Sequence, residues 1–117
     1  MNWEYLKDKI LVFGDDDWIF SDMFISIVGD YEGCFNDEDR MLYTYKMLRE
    51  IMSDNLIDIY FIKPNENLTP FIYNNAQDID YFISKIDVEW KKQNYKVPDP
   101  DQLFWATTNS NGKSQIQ

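Results

Sequence analysis

Asp15, Asp16 and Asp17 are consecutive, and three adjacent carboxylates are the residues of this chain with the plainest capacity for chemistry. Carboxylates can act as general acid and base, ligate a hard cation, or stay ionised to meet a basic partner. Calcium-loop spacing fails here. Counted from Asp15, the position that needs glycine is Phe20, and the position that needs a bidentate glutamate is Ser26. No histidine occurs anywhere, which removes the commonest general base, the metal-binding imidazole and the usual activator of a nucleophile. Gly14, Gly29, Gly33 and Gly112 are scattered and form no phosphate-cradling loop. Cys34 lies among anionic side chains, which suppress thiolate formation, so a packed thiol is expected and not a nucleophile. No catalytic, metal-binding or cofactor-binding residue is therefore expected, and the carboxylates read as a binding surface.

Their distribution supports that reading. Residues 1 to 40 hold eleven Asp or Glu against three Lys or Arg, a charge of −8 (3 − 11) out of −10 for the whole chain. Asp15, Asp16, Asp17, Asp22, Asp30, Glu32, Asp37, Glu38 and Asp39 alternate with Trp18, Phe20, Phe24, Tyr31 and Phe35. Clustered like charge opposes compaction but accelerates encounter with a basic partner, and aromatics supply the apolar anchors of an interface. The candidate partner-binding residues are Asp15, Asp16, Asp17, Trp18, Asp22, Asp30, Tyr31, Glu32, Phe35, Asp37, Glu38 and Asp39. Direct binding of nucleic acid is not expected, because the one loose basic group, Lys85, Lys91, Lys92 and Lys96, is diluted by Asp87 and Glu89.

The elements that must position these residues follow from apolar periodicity. Trp3, Leu6, Ile10 and Phe13 predict a first helix after an Asn2 cap, ending near Gly14. Asp17 is the expected N-cap of a second helix carrying Phe20, Met23 or Phe24, Ile27 and Tyr31, so acids flank that helix at both ends. Asn36-Asp37-Glu38-Asp39 opens a third helix with carboxylates in its first turn, where the macrodipole favours them. Its stripe is Met41, Tyr45, Leu48 and Met52, widened by Leu42, Ile51 and Leu56. Ser53-Asp54-Asn55 breaks it. Residues 56–62 read as a strand stopped by Lys63-Pro64-Asn65, and residues 69–73 as a short Pro-limited extended piece. A fourth helix from Asn75 carries Ala76, Ile79, Phe82, Ile83, Ile86 and Trp90. Pro98 and Pro100 then exclude helix, residues 102–108 read as a strand, and Asn109-Ser110-Asn111-Gly112 as a hairpin turn before residues 113–117. Trp90 and Trp105 are expected in the core, Trp3 docks the first helix, and Trp18 is expected to be partly exposed.

The expected class is α+β, with N-terminal helices followed by a small antiparallel sheet with an intervening helix, in a winged-helix-like order. The whole of 1–117 is read as a single domain, able to bury about two-thirds of its unfolded surface. A 44% hydrophobic content argues against a disordered acidic tail. One cysteine, no basic-then-apolar leader and no long apolar run predict a cytoplasmic chain with no membrane contact, monomeric when free.

Three stretches also carry a resemblance. These are 39–57 with Leu48-Arg49-Glu50-Ile51-Met52 and Asp54-Asn55-Leu56-Ile57, the helix ending Ile86-Asp87-Val88-Glu89-Trp90, and the tail Pro98 to Thr108 with Gly112-Lys113. Together they resemble a family of small bacterial immunity proteins of contact-dependent growth inhibition and related polymorphic toxin systems. The resemblance implies a partner that is a cognate toxin C-terminal domain, usually a nuclease and usually basic, neutralised in the producing cell. It carries over no individual binding residue. A DNA-mimic inhibitor, or another acidic regulatory protein-binding module, would use the same acidic surface.

Overall fold

The computed structural model describes residues 2–62, 69–100 and 102–116. Its elements are α1 (Asn2–Asp16), β1 (Ile19–Phe20), α2 (Ser21–Gly29), α3 (Asp37–Ser53), β2 (Ile57–Phe61), α4 (Ala76–Lys91), β3 (Phe104–Thr108) and α5 (Ser110–Gln115). The class is α+β, as expected from the sequence. The three strands form one antiparallel sheet in the order β1-β3-β2. The last strand is thus the central one, and it ties both ends of the chain together. Among the described residues no helix is long and apolar enough to cross a membrane.

Alternation along the strands sorts the two faces of the sheet. Ile19, Ala106 and Ile59 form one cross-strand row and are all buried. They face a core supplied by Leu6, Ile10 and Leu11 of α1, Phe24, Ile25 and Val28 of α2, Leu48 and Ile51 of α3, and Phe82 and Trp90 of α4. Phe104 is the aromatic hub, 5.5 Å from Phe24 and 6.1 Å from Phe82, both edge-on. Trp90 is fully buried as expected, its indole N–H donating to the Lys96 carbonyl at 2.7 Å. Beside it the carboxylate of Asp87 accepts from the hydroxyls of Tyr45 (2.7 Å) and Tyr95 (3.0 Å).

Three helices are capped by an asparagine side chain, whereas Asn2, expected to cap α1, is its first residue and its Oδ1 has no hydrogen-bond partner among the described residues. Asn36, Asn75 and Asn109 accept from the backbone N–H three residues on, of Asp39, Asp78 and Gly112. The third of these corrects the expected C-terminal hairpin. Asn109 caps α5, and the side-chain amides of Asn109 and Asn111 both donate to the Asn55 carbonyl, at 2.9 and 3.2 Å. A β-carbon at Gly112 would overlap the Leu56 carbonyl oxygen, so only glycine lets α5 pack there. The physical reason for the missing wing is that both edges of β3 are already taken, one by β1 and one by β2. A further strand from 113–117 has no edge of β3 left to pair with.

The N-terminal region differs from the expected pattern. α1 continues past Gly14 to Asp16, because Gly14 packs directly on β3: a β-carbon there would lie 2.6 Å from Thr108 Oγ1. Asp17 does not cap α2; its carboxylate accepts from the N–H of Trp18 at 2.8 Å, and α2 begins after Phe20 with no side-chain cap. Residues 19–20, expected to lie in the second helix, are strand. Phe13 and Leu42 are exposed, while of the pair Met23 or Phe24 it is Phe24 that is buried; Leu11, Ile25, Thr44 and Met47 join the buried set. Residues 69–73 are not a strand, although the Phe71 N–H donates to the Ile59 carbonyl at 2.8 Å. The expected Lys63-Pro64-Asn65 stop lies outside the described residues.

Candidate functional site

The acidic cluster of the sequence divides between the two ends of α1. Asp15 and Asp16 occupy its last turn, with Asp17 immediately after. The 30–39 segment lies at its start, where the Asn2 side chain donates to the Asp30 carbonyl at 3.2 Å. Asp16 lies fourteen helical rises beyond Asn2, about 21 Å. The two groups do not make one continuous face.

At the α1 start most of the expected residues have structural work. Tyr31 packs on Trp3 (5.0 Å) and Tyr43 (4.8 Å), and the Lys46 ammonium lies 5.1 Å from the Trp3 ring. Asp37 pairs with Arg40 one turn along α3, and Asp39 accepts from the Phe35 N–H at 3.1 Å. Cys34 is partly buried and its thiol contacts the Val28 carbonyl. Burial first, and then the nearby Asp39 carboxylate, push its pKa up, which keeps it protonated. Asp30, Glu32 and Glu38 are exposed, and among the described residues Phe35 is the most exposed large apolar residue at 84%.

The other end is differently built. β1 begins two residues after Asp17, and the outward row of the sheet is Phe20, Trp105 and Tyr60, one residue from each strand. Trp18 lies across this row, its ring edge-on to Tyr60 at 5.0 Å and to Trp105 at 5.9 Å, while Phe20 is 5.3 Å from Trp105. Trp18 is 38% exposed and the other three are half-buried. The next row on the same face contains Thr107 and the exposed Asp58. Four aromatics thus form a surface plate bounded by Asp15, Asp16 and Asp17 on one side and Asp58 on another. Asp22, in the first turn of α2, adds a partly buried carboxylate with one oxygen that has no hydrogen-bond partner.

The plate is held firmly. The Trp105 indole N–H donates to the Pro100 carbonyl at 3.0 Å, and Ser21 Oγ donates to the Gln102 carbonyl. Leu103, at the entry to β3, has φ 67, a left-handed conformation that strains a branched side chain. Thr107 Oγ1 donates to the Gly14 carbonyl (3.1 Å) and Thr108 Oγ1 to that of Leu11 (2.7 Å), fixing the acidic end of α1 beside the sheet. That end is electrostatically unfavourable: Asp15 and Asp16 sit where the helix dipole is negative, and no basic residue occupies the last turn. Lys113 offsets part of this through Asp15 at 3.6 Å.

Phe20, Tyr60 and Trp105 are not among the residues expected to bind a partner, and Trp105 is expected in the core. The signal was present in Phe104-Trp105-Ala106-Thr107-Thr108: strict alternation places Trp105 on the face opposite Phe104 and Ala106. Among the described residues, no group of three or more Cys, Asp or Glu side chains is placed to hold a metal ion. No family model, curated protein or solved structure matches this chain.

Proposed function

We propose that this chain is an immunity protein: a binding protein without catalysis that neutralises a basic toxin domain, most naturally a nuclease, by covering its anionic-substrate cleft. One observation carries the reading. An aromatic plate on the sheet, Trp18, Phe20, Tyr60 and Trp105, lies beside three carboxylates kept at the unfavourable end of a helix. Aromatic anchors surrounded by charge of one sign are the composition of a protein interface with a fast, electrostatically steered encounter. A nuclease cleft that attracts phosphates attracts carboxylates by the same field. The family resemblance of residues 39–57 and 86–90 points the same way; the hairpin it implies after Thr108 is replaced by α5 and lends no support. Cytoplasmic action in the producing cell belongs to this proposal.

The test begins with capture from the source cell at low and high salt, with identification of the eluted proteins. A basic toxin domain released as salt rises, and a toxin whose lethality on expression is suppressed by co-expressing this chain, is the expected result. Asp16→Lys with Asp17→Lys should abolish protection while leaving the circular dichroism spectrum unchanged. Protection that survives the double reversal would sink this face as the inhibitory one.

A further inference from the structure

We infer that the aromatic plate is a seat for an arginine side chain of the partner, with Asp58 as the carboxylate that receives it. The inference rests on the proposed basic partner and names the group that makes the central contact. Trp18 and Phe20 belong to the N-terminal segment, Tyr60 to β2 and Trp105 to β3, yet the ring centroids lie 5.0 to 5.9 Å apart along the chain Tyr60, Trp18, Trp105, Phe20. The edge-to-face angles between Trp18 and its two neighbours, 65° and 60°, make a corner of ring faces and not a flat stack. Such a corner presents the negative face of one ring next to that of another, which is the arrangement that attracts a cation.

Register supplies the anion. Asp58 pairs with Thr107 and lies two residues before Tyr60, so its carboxylate emerges on the same face as Tyr60 and Trp105. The antiparallel pairing of β1 with β3, extended one residue back from Ile19, sets Trp18 in the row of Thr107 and Asp58. Asp58 therefore shares the face of the sheet that the indole crosses, one row from Tyr60 and Trp105. A planar cation can stack on an indole and donate from its edge to a carboxylate at once; an ammonium cannot do both with the same geometry. The site therefore favours arginine over lysine. The chain already uses the weaker version of this contact in its own packing, with Lys46 over Trp3 at 5.1 Å and Lys85 over Tyr81 at 5.3 Å.

The experiment needs no partner. ¹⁵N-labelled protein is titrated with the blocked amino acids N-acetyl-arginine amide, N-acetyl-lysine amide and N-acetyl-citrulline amide, the last having the shape of arginine without its charge. The expected result is saturable shifts of the Trp18 and Trp105 indole N–H signals and of the Asp58 and Tyr60 amides with the arginine probe. The lysine probe should need several-fold higher concentration, and the citrulline probe should leave these signals in place. Asp58→Asn should weaken the arginine response several-fold in a protein whose spectrum remains dispersed. Equal responses to arginine and citrulline, equal responses to arginine and lysine, arginine shifts confined to residues 30–39, or no shift at all would each overturn the inference. None of those outcomes bears on whether a basic toxin is captured and neutralised, so this seat and the proposed function fail separately.

Discussion

Neutralising Asp16 should make the protein more stable and a poorer binder at the same time. Asp16 is the last residue of α1, exposed, and flanked by Asp15 and Asp17. Its charge meets the negative end of the helix dipole, a repulsion worth about 0.3–1 kcal/mol at an exposed terminus. Each neighbouring carboxylate, at about 6 Å in water, adds ~0.7 kcal/mol unscreened. At physiological salt, with a Debye length of about 8 Å, this falls to ~0.3 kcal/mol each. Asp16→Asn therefore relieves roughly 1 kcal/mol in total. For 117 residues the unfolding entropy is about 0.25 kcal/mol/K, so Tm should rise by about 4 °C. The gain should shrink in 1 M salt, where the Debye length is about 3 Å. Calorimetry at the two salt concentrations measures the first effect, and stopped-flow association with the captured partner measures the second, expected as a several-fold lower on-rate with little change in off-rate. A Tm that falls, or a gain that is insensitive to salt, would refute the electrostatic account of this helix end. A gain in Tm with an unchanged on-rate would leave the acids without a binding role.

Truncating the plate and truncating the core should separate cleanly. Trp105→Ala and Tyr60→Ala are expected to weaken partner binding at least ~30-fold, about 2 kcal/mol each, with modest loss of stability, whereas fully buried Trp90→Ala should cost about 3–5 kcal/mol in urea titration. Phe35→Ser, at the far end of α1, should change affinity by less than about twofold, since under 30% of interface positions matter and this one lies outside the plate; a large loss measured by calorimetric titration would move the binding face there. Tyr73 is pushed up to about 12 by burial, reinforced by Asp58, and Tyr45 and Tyr95 are raised by burial and by Asp87. A phenol protonated more firmly in the folded than in the unfolded state gives stability that is whole below pH 10 and is lost as pH rises from 10 through 12 for Tyr73. The urea midpoint of the wild type should therefore fall more steeply over that window than that of Tyr73→Phe, and parallel slopes would contradict it. Gly112→Ala should destabilise by more than ~2 kcal/mol because the added methyl meets the Leu56 carbonyl oxygen; an unchanged Tm would mean α5 packs elsewhere.

Local patterns by themselves determined the α+β class and the two longest helices after residue 35. Asn36 and Asn75 cap where an amide side chain followed by an acid three residues on says they should, and Ile79, Phe82, Ile83, Ile86 and Trp90 are all buried on one face of α4. These are short-range effects, complete within a few turns of chain. The division of the acidic cluster was decided by tertiary structure, because proximity in sequence says nothing about which end of a rigid 15-residue helix each acid occupies. So was β1: two residues are too few to show a period, and Ile19-Phe20 become strand only because β3, eighty-five residues later, offers an edge. The C-terminal segment became helix because that strand had no edge left. The aromatic plate is assembled from three distant stretches by register alone, which is a property of pairing and is written in no single segment.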